Sequence, residues 1–303
     1  ALREMEKATN IPFNDYRSTR YFGMIRHFRR HSWLLLYLFG ASPAIDKSFL
    51  PGDKKVPEKL QSLSDDTYFA PYATTLRMSD LGYQNKVQSQ LKICFNSLSN
   101  YVNTLRHAIS SPWPDYEKMG VNVDGEWRQL NANILQIENE YYSSIRPKRT
   151  INKGERPTTA LQKRGVEYIE IRALDLNPFE PVGINQQEIR FLDLFATYCL
   201  LRESPQLEKC DLHASKENLR KVVYEGRNTA IELCNWGKSV SLKDWASEKL
   251  TQMQPIAELF DRTHGGSNYS DALARLFAKT AGTCGIETPK AKIQLVPPRD
   301  WLA

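Results

Sequence analysis

The spacing of apolar positions along this chain changes twice. From about residue 15 to Phe39, aromatic and aliphatic residues recur at helical intervals, with Asp15 or Ser18 placed to cap the start and Gly40 to stop the helix. Tyr21, Phe22, Ile25 and Phe28 interleave there with Arg17, Arg20, Arg26, Arg29 and Arg30, which predicts an amphipathic helix with a charged rim. A loop rich in proline, lysine and aspartate runs on to about Asp66. A second helix is predicted from Ser97 or Ser99 to Ser110. Leu98, Tyr101, Val102, Leu105, Ala108 and Ile109 form its apolar face, and His107 falls on the other side.

In the middle of the chain the period drops to two, which puts successive side chains on opposite faces of a strand. In LNANILQIENEYY, Leu130 to Tyr142, the residues Gln136, Glu138, Glu140 and Tyr142 share one face. IRPKR, Ile145 to Arg149, leads into the polar loop TINKGERPTT. VEYIEIRALDLNPFEP, Val166 to Pro181, then alternates again. Ile169, Ile171 and Ala173 face one way, and Tyr168, Glu170, Arg172 and Leu174 the other. The expectation is two strands with acid-and-tyrosine faces, joined by a basic loop.

From Asn185 the helical period returns, with a stripe through Ile189, Leu192, Phe195 and Cys199. Further helices are predicted at about Lys216–Ala230, Leu242–Phe260 and Tyr269–Lys279. Helix, strands, then helices, without βαβ alternation, predicts an α+β chain with an antiparallel or mixed sheet and flanking helices. The expected layout is one domain over 1–303: helix and loop to about 65, a sheet-rich region over 66–180, and a helical region over 185–303.

Composition adds bounds. The chain has 303 residues, 25% of them charged and 41% hydrophobic, as in ordinary soluble globular proteins. The longest apolar run, Trp33 to Phe39, is far short of the ~20 residues that span a bilayer. The five cysteines form no C-x-x-C, and Cys210 with His213 makes one C-x-x-H without a second pair, so reduced thiols in a cytoplasm are expected. The net charge of +6 suits small anionic substrates. The arginine-bearing first helix offers an alternative, a nucleic-acid-binding module.

The usual nucleotide motifs are missing. There is no G-x-G-x-x-G, and Gly237-Lys238-Ser239 ends no Walker A loop because Glu232 stands where its first glycine belongs. ATP would therefore lie on an open sheet, with carboxylates holding Mg²⁺ (or Mn²⁺) and arginine or lysine holding phosphate. Glu170 and Arg172, two apart on one strand face, suit that chemistry; a solvated face of a half-buried sheet is the plain alternative.

The strings YLFGASPAI, PYATTLRMSDLGY, NANILQIENEYYSSIRPKR and VEYIEIRALDLNPFEPVGI resemble glutamate–cysteine ligase of the γ-proteobacterial type, from about Tyr16 to at least Gly266. The resemblance implies a glutamine-synthetase-like catalytic domain, here partial. The implied activity joins the γ-carboxyl of L-glutamate to L-cysteine at the expense of ATP, through an acyl phosphate. Glu170 matches the family's metal-ligating glutamate, and Arg172 the arginine that stabilises the phosphoryl group in transfer. Arg77, Tyr83 and Tyr142 match the pocket for cysteine. Arg146 and Lys148 are added for charge and position, as phosphate contacts. The family's other metal ligands, glutamates of an upstream strand and a histidine, find no counterpart, and AGTCGIETPKAKIQLVPPRDWLA departs from the family. The expectation is a chain whose natural beginning lies upstream and which is inactive alone. A related ligase with another amine acceptor fits the same residues.

Overall fold

The structure, a computed structural model, describes residue 7 and residues 10–50, 56–81 and 91–281. Tyr83 and the divergent end after Ala281 lie outside the described residues. The described chain runs α1 (Phe13–His31), α2 (Trp33–Phe39), β1 (Ala44–Asp46), β2 (Gln61–Ser62), β3 (Thr67–Phe69), α3 (Leu98–Ser110), α4 (Pro114–Met119), β4 (Asn122–Val123), β5 (Glu126–Trp127), β6 (Ile145–Lys148), α5 (Pro157–Arg164), β7 (Tyr168–Ile171), α6 (Gln186–Leu201), α7 (Lys209–Glu225), β8 (Glu232–Asn235), β9 (Lys238–Ser241), α8 (Leu242–His264) and α9 (Asn268–Ala281). The class is α+β as expected, with the strands in small sheets. β1, β3 and β2 form three antiparallel strands, and β4–β5, β6–β7 and β8–β9 form antiparallel pairs.

Two compact units assemble from separate stretches. Unit 1 takes Ala1–Phe28, Gln84–Arg172 and Leu200–Leu207; unit 2 takes Arg29–Tyr83, Ala173–Cys199 and Glu208–Ala303. These boundaries differ from the three consecutive stretches the pattern suggested.

In unit 1 the core lies between α1 and α3. Phe22, Ile25 and Phe28 are buried on α1, and Tyr101, Val102, Leu105 and Ala108 on α3. The Tyr101 ring meets Phe22 at 6.1 Å and Phe95 at 5.3 Å. Each such side chain contributes roughly 1.5–3 kcal/mol by burial. Ser97 caps α3 as expected, its hydroxyl accepting from Asn100 N at 3.1 Å, and His107 is exposed. Ser18 is no cap: it lies inside α1, where its hydroxyl donates to Asn14 O and accepts from Val166 N.

The expected charged rim on α1 is largely internal. Arg26 donates to the carbonyls of Ser204 and Asn96, and Arg20 to that of Leu200. In unit 2, Arg30 pairs with Asp211 at 3.2 Å and stacks over Trp236. Carbonyl groups with no ladder partner need donors, and these guanidiniums supply them. That use turns Arg20, Arg26 and Arg30 inward.

The strand expected over Leu130–Tyr142 does not form. Asn131 accepts from Asn133 N and donates to Gln136 O; the Gln136 side chain accepts from Leu130 N, and Glu140 accepts from Gln136 N. Short polar side chains here satisfy the backbone that a sheet partner would otherwise satisfy. Glu138 and Glu140 fall in a 3₁₀ turn, and Glu138 caps α5 by accepting from Thr158 N and Oγ1. The strand that does pair with β7 is IRPK, read from sequence as the lead into a loop.

In unit 2 the expected helix to Gly40 breaks at Ser32, and α2 that follows is buried from Trp33 to Leu38. Trp33 packs on Trp245 of α8 at 4.7 Å, and Phe39 on Phe191 of α6 at 5.3 Å. Asn185 and Glu188 cap α6 reciprocally, each side chain accepting from the other's backbone N–H. Its buried face runs through Phe191, Leu194, Phe195, Tyr198 and Cys199, so the expected stripe is rotated and Ile189 is exposed. Gly237-Lys238-Ser239 lies in the β8–β9 hairpin: Trp236 and Gly237 turn at φ 50° and 81°, and Lys238 begins β9. The four described cysteines, Cys94, Cys199, Cys210 and Cys234, are free thiols. Among the described residues no helix is long and apolar enough to cross a membrane.

Thr74 links the start of the sheet region to α7, its N–H and hydroxyl donating to Val223 O and Val222 O. Glycines flank it. A Cβ on Gly40 would lie 2.7 Å from the Thr74 Cβ and 2.5 Å from Leu36 O. Gly40→Ala should therefore lower stability by about 1–3 kcal/mol through overpacking. A thermal melt reads this directly; an unchanged midpoint would mean that the loop gives way freely.

Candidate functional site

β6 and β7 place Arg146 directly opposite Glu170. The Arg146 guanidinium donates to Glu170 Oε2 through Nε at 2.9 Å and Nη2 at 2.6 Å, and to Tyr141 O through Nη1 at 2.8 Å. Arg172 Nη2 donates to Glu170 Oε1 at 3.0 Å, and Lys148 Nζ lies 3.8 Å from Oε2. Glu170 is thus the shared counter-ion of three cations, and the cluster carries a net positive charge. Burial raises the Glu170 carboxyl, but its bonds and attraction to Arg146, with Arg172 and Lys148, outweigh that and hold it below the usual carboxylate range. Lys148 is lowered by burial and then by Arg146, with Glu170 acting in the opposite sense.

The three cations differ in access. The Arg146 side chain is 6% exposed and sits behind Glu170, whereas Arg172 is 49% exposed. The Arg172 backbone is fixed at both ends: its N–H donates to Ser144 O at 2.9 Å, and its carbonyl accepts from the Tyr142 hydroxyl at 3.1 Å. A half-exposed guanidinium on a fixed backbone, oriented by a carboxylate, is suited to bind an oxyanion. Of the residues singled out from sequence, Glu170, Arg172, Tyr142, Arg146 and Lys148 come together in unit 1. Arg146 and Lys148 lie on a strand, not in a loop, and Arg146 is a buried ion-pair partner.

These residues alone do not fit a divalent cation. Glu170 Oε1 and Oε2 are both engaged by cations, and no group of three or more His, Cys, Asp or Glu side chains among the described residues could hold a metal ion. Mg²⁺ calls for several oxygen ligands in near-octahedral array.

In unit 2, Arg77 follows Thr75 in a short 3₁₀ turn, Leu76–Met78. Its Nε donates to Asp175 Oδ1 at 2.7 Å and its Nη2 to Leu174 O at 2.7 Å. Asp175, 3% exposed, also accepts from Ala41 N, Ser42 N, Ser42 Oγ and Thr75 Oγ1, at 2.7 to 3.0 Å. Sequence reading named Arg77 and missed Asp175. The signal was present in LDLNP, an aspartate just past a strand and close before a proline, but its partners lie about 100 and 134 positions away.

A positive cluster on an antiparallel strand pair is chemically suited to oxyanions such as phosphate or carboxylate. The chain belongs to the glutamate–cysteine ligase family: the model of that family, described as glutamate-cysteine ligase, matches residues 1–222. It is 69% identical over 297 residues to the glutamate–cysteine ligase of Alcanivorax borkumensis, covering 96% of this chain and 56% of that protein. It is 51% identical over 292 residues to that of Pseudomonas putida, covering 96% and 54%. The chain thus spans about half the length of the curated relatives it matches. Among solved structures it resembles the Francisella tularensis glutamate–cysteine ligase in complex with AMP, with a TM-score of 0.85 and 36% identity over 97% of this chain and 57% of that one. A bifunctional glutathione synthetase from Pasteurella multocida shares the fold, with a TM-score of 0.59 at 20% identity over 92% of this chain and 30% of that one.

Proposed function

We propose that this chain is the part of an ATP-dependent, cytoplasmic ligase that joins the γ-carboxyl of L-glutamate to the amine of L-cysteine, the first step of glutathione biosynthesis. The observation that carries the reading is the Glu170-centred cluster with Arg172 half-exposed at its edge. Family membership and the AMP bound to the Francisella relative support it. In the first step a γ-carboxylate oxygen of glutamate bonds to the γ-phosphorus of ATP, and the bond to ADP breaks. The cysteine amine then attacks the acyl carbon, phosphate leaves and the amine loses a proton.

Arg172 holds the phosphoryl oxygens in transit, where their charge is least well solvated. Glu170 orients Arg172 and Arg146 anchors Glu170. Lys148, lowered by burial and then by Arg146, adds to the field at the same carboxylate. In unit 2, Asp175 fixes Arg77, whose fork suits an amino-acid carboxylate. Tyr83 serves the same amino acid. A divalent cation, Mg²⁺ or Mn²⁺, would take ligands beyond Glu170.

Tyr142 tests the acceptor side. Its hydroxyl donates to Arg172 O, which aims its oxygen lone pairs away from that carbonyl as an acceptor suited to an ammonium group. Tyr142→Phe should raise the KM for cysteine by about 10-fold or more, the loss of a hydrogen bond to a charged group, roughly 1.5–3 kcal/mol. Glutamate-dependent ADP formation should be kept. Steady-state kinetics in a ligase of the relatives' full length that carries this chain gives both numbers. Equal damage to the two steps would make Tyr142 a structural tie only.

A further inference from the structure

Unit 1 holds a second concave site, of about 360 Å³, at the start of α5. Its lining includes Arg106, Arg156, Glu138, Thr158 and Thr159, with Ile109 as an apolar patch. None of these was singled out as a catalytic or binding residue above. The volume falls at the small end of the range for small-molecule sites, roughly 300–1,000 Å³.

The guanidiniums at this cavity are not tied to its carboxylate in the way those at Glu170 are. Glu138 supplies the carboxylate among the named lining residues, and both of its oxygens are engaged at the α5 N-terminus, by Thr158 N at 2.7 Å and Thr158 Oγ1 at 2.8 Å. Among the described residues Arg106 reaches hydroxyls, Thr158 Oγ1 and Thr159 Oγ1, each at a long 3.5 Å. Arg156 occupies the N-cap of α5 and is exposed. The neighbouring acid Glu155 is taken by Arg164, at 2.8 Å and 2.7 Å through its two oxygens. Two guanidiniums that share a cavity repel each other, and an anion between them removes that repulsion while accepting from both planar forks. The cavity wall carries hydroxyls, which can bond to either end of a polar ligand.

We propose that this cavity binds a small molecule through a phosphate or carboxylate group held between Arg106 and Arg156, at a site separate from the Glu170 cluster. Carboxylate and tetrahedral phosphate oxygens both match the arginine fork, so the shared chemistry is an oxyanion.

Two measurements test it on the whole chain. Crystals soaked in tungstate, a tetrahedral oxyanion of high scattering power, should show the anion between Arg106 and Arg156. Titration with inorganic phosphate and, separately, with succinate should give binding that weakens at least tenfold in the Arg106→Gln/Arg156→Gln variant, with the tighter of the two naming the class. The circular-dichroism melt of that variant shows whether it is folded. If it is not, the soaked crystal decides alone. An empty cavity at saturating tungstate, or equal affinity in a folded double variant, overturns the proposal. The ligase reading above stands or falls separately, because neither measurement uses turnover.

Discussion

Asp175→Ala should lower the stability of this protein by about 3–5 kcal/mol, the usual cost of removing one partner from a buried ion pair. Alanine leaves five donors without their acceptor: Ala41 N, Ser42 N, Ser42 Oγ, Thr75 Oγ1 and Arg77 Nε. Thr75 is fully buried, so its hydroxyl is left with only the Ser42 hydroxyl, 3.0 Å away, and Arg77 loses the carboxylate at its Nε. Asp175→Asn is the informative companion. It keeps the shape and one acceptor oxygen, but its NH₂ group would point at donors. It should cost nearly as much as alanine, because a donor facing a donor is no better than a gap. Urea unfolding measures both. A loss below about 1 kcal/mol for either variant would show that the loops close over the gap.

The second large effect is expected from Glu170→Gln. The change keeps the side chain's size and removes the charge that three cations share. Arg146, 6% exposed, then loses the anion beside it. Glu170 itself is about a quarter exposed, so solvent screens part of the cost, and a loss of about 1–3 kcal/mol is expected at neutral pH. The acid limb gives a sharper signature. The folded-state carboxyl is held below its usual value, so its contribution is complete above the ordinary carboxylate pKa and is lost as pH falls through the lowered one. The stability gap between wild type and Glu170→Gln should therefore close as pH drops through that window. A gap that stays constant from neutral pH down into the acid range would mean that Glu170 contributes no charge-dependent stability.

What could be read from sequence follows the range of the interactions. α3 was legible because its cap, Ser97, and its apolar face lie within one helix. The Glu170–Arg172 pair was legible because i, i+2 neighbours on a strand share a face whatever the rest does. The face of β7 was right and its partner was wrong. LNANILQIENEYY alternates, but asparagine and glutamine side chains bond their own backbone more cheaply than a distant strand can, whereas IRPK is short and carries a proline, both of which mask a strand. The buried role of Arg146 and the whole of the Asp175 hub depend on contacts 24 to 134 residues apart, which no local pattern encodes. The α1 arginines were misread for the same reason: their carbonyl partners at Asn96, Leu200 and Ser204 come from remote loops. The roles of Tyr83 and Arg77 toward an amino acid came from resemblance alone, and the geometry adds for Arg77 the carboxylate that fixes it.

The central claim is that Arg172, oriented by Glu170, acts on a phosphoryl group in transit. Arg172→Lys keeps the positive charge and removes the planar fork that bonds both Glu170 and a phosphoryl oxygen. The decisive measurement is glutamate-dependent ADP formation by this variant, in a ligase of the relatives' full length that carries this chain. The account predicts that kcat falls by about 10²- to 10³-fold, the usual cost of a lost oxyanion donor, while the KM values for ATP and glutamate change less than about threefold. A wild-type kcat, or a rise in KM with kcat unchanged, would contradict it.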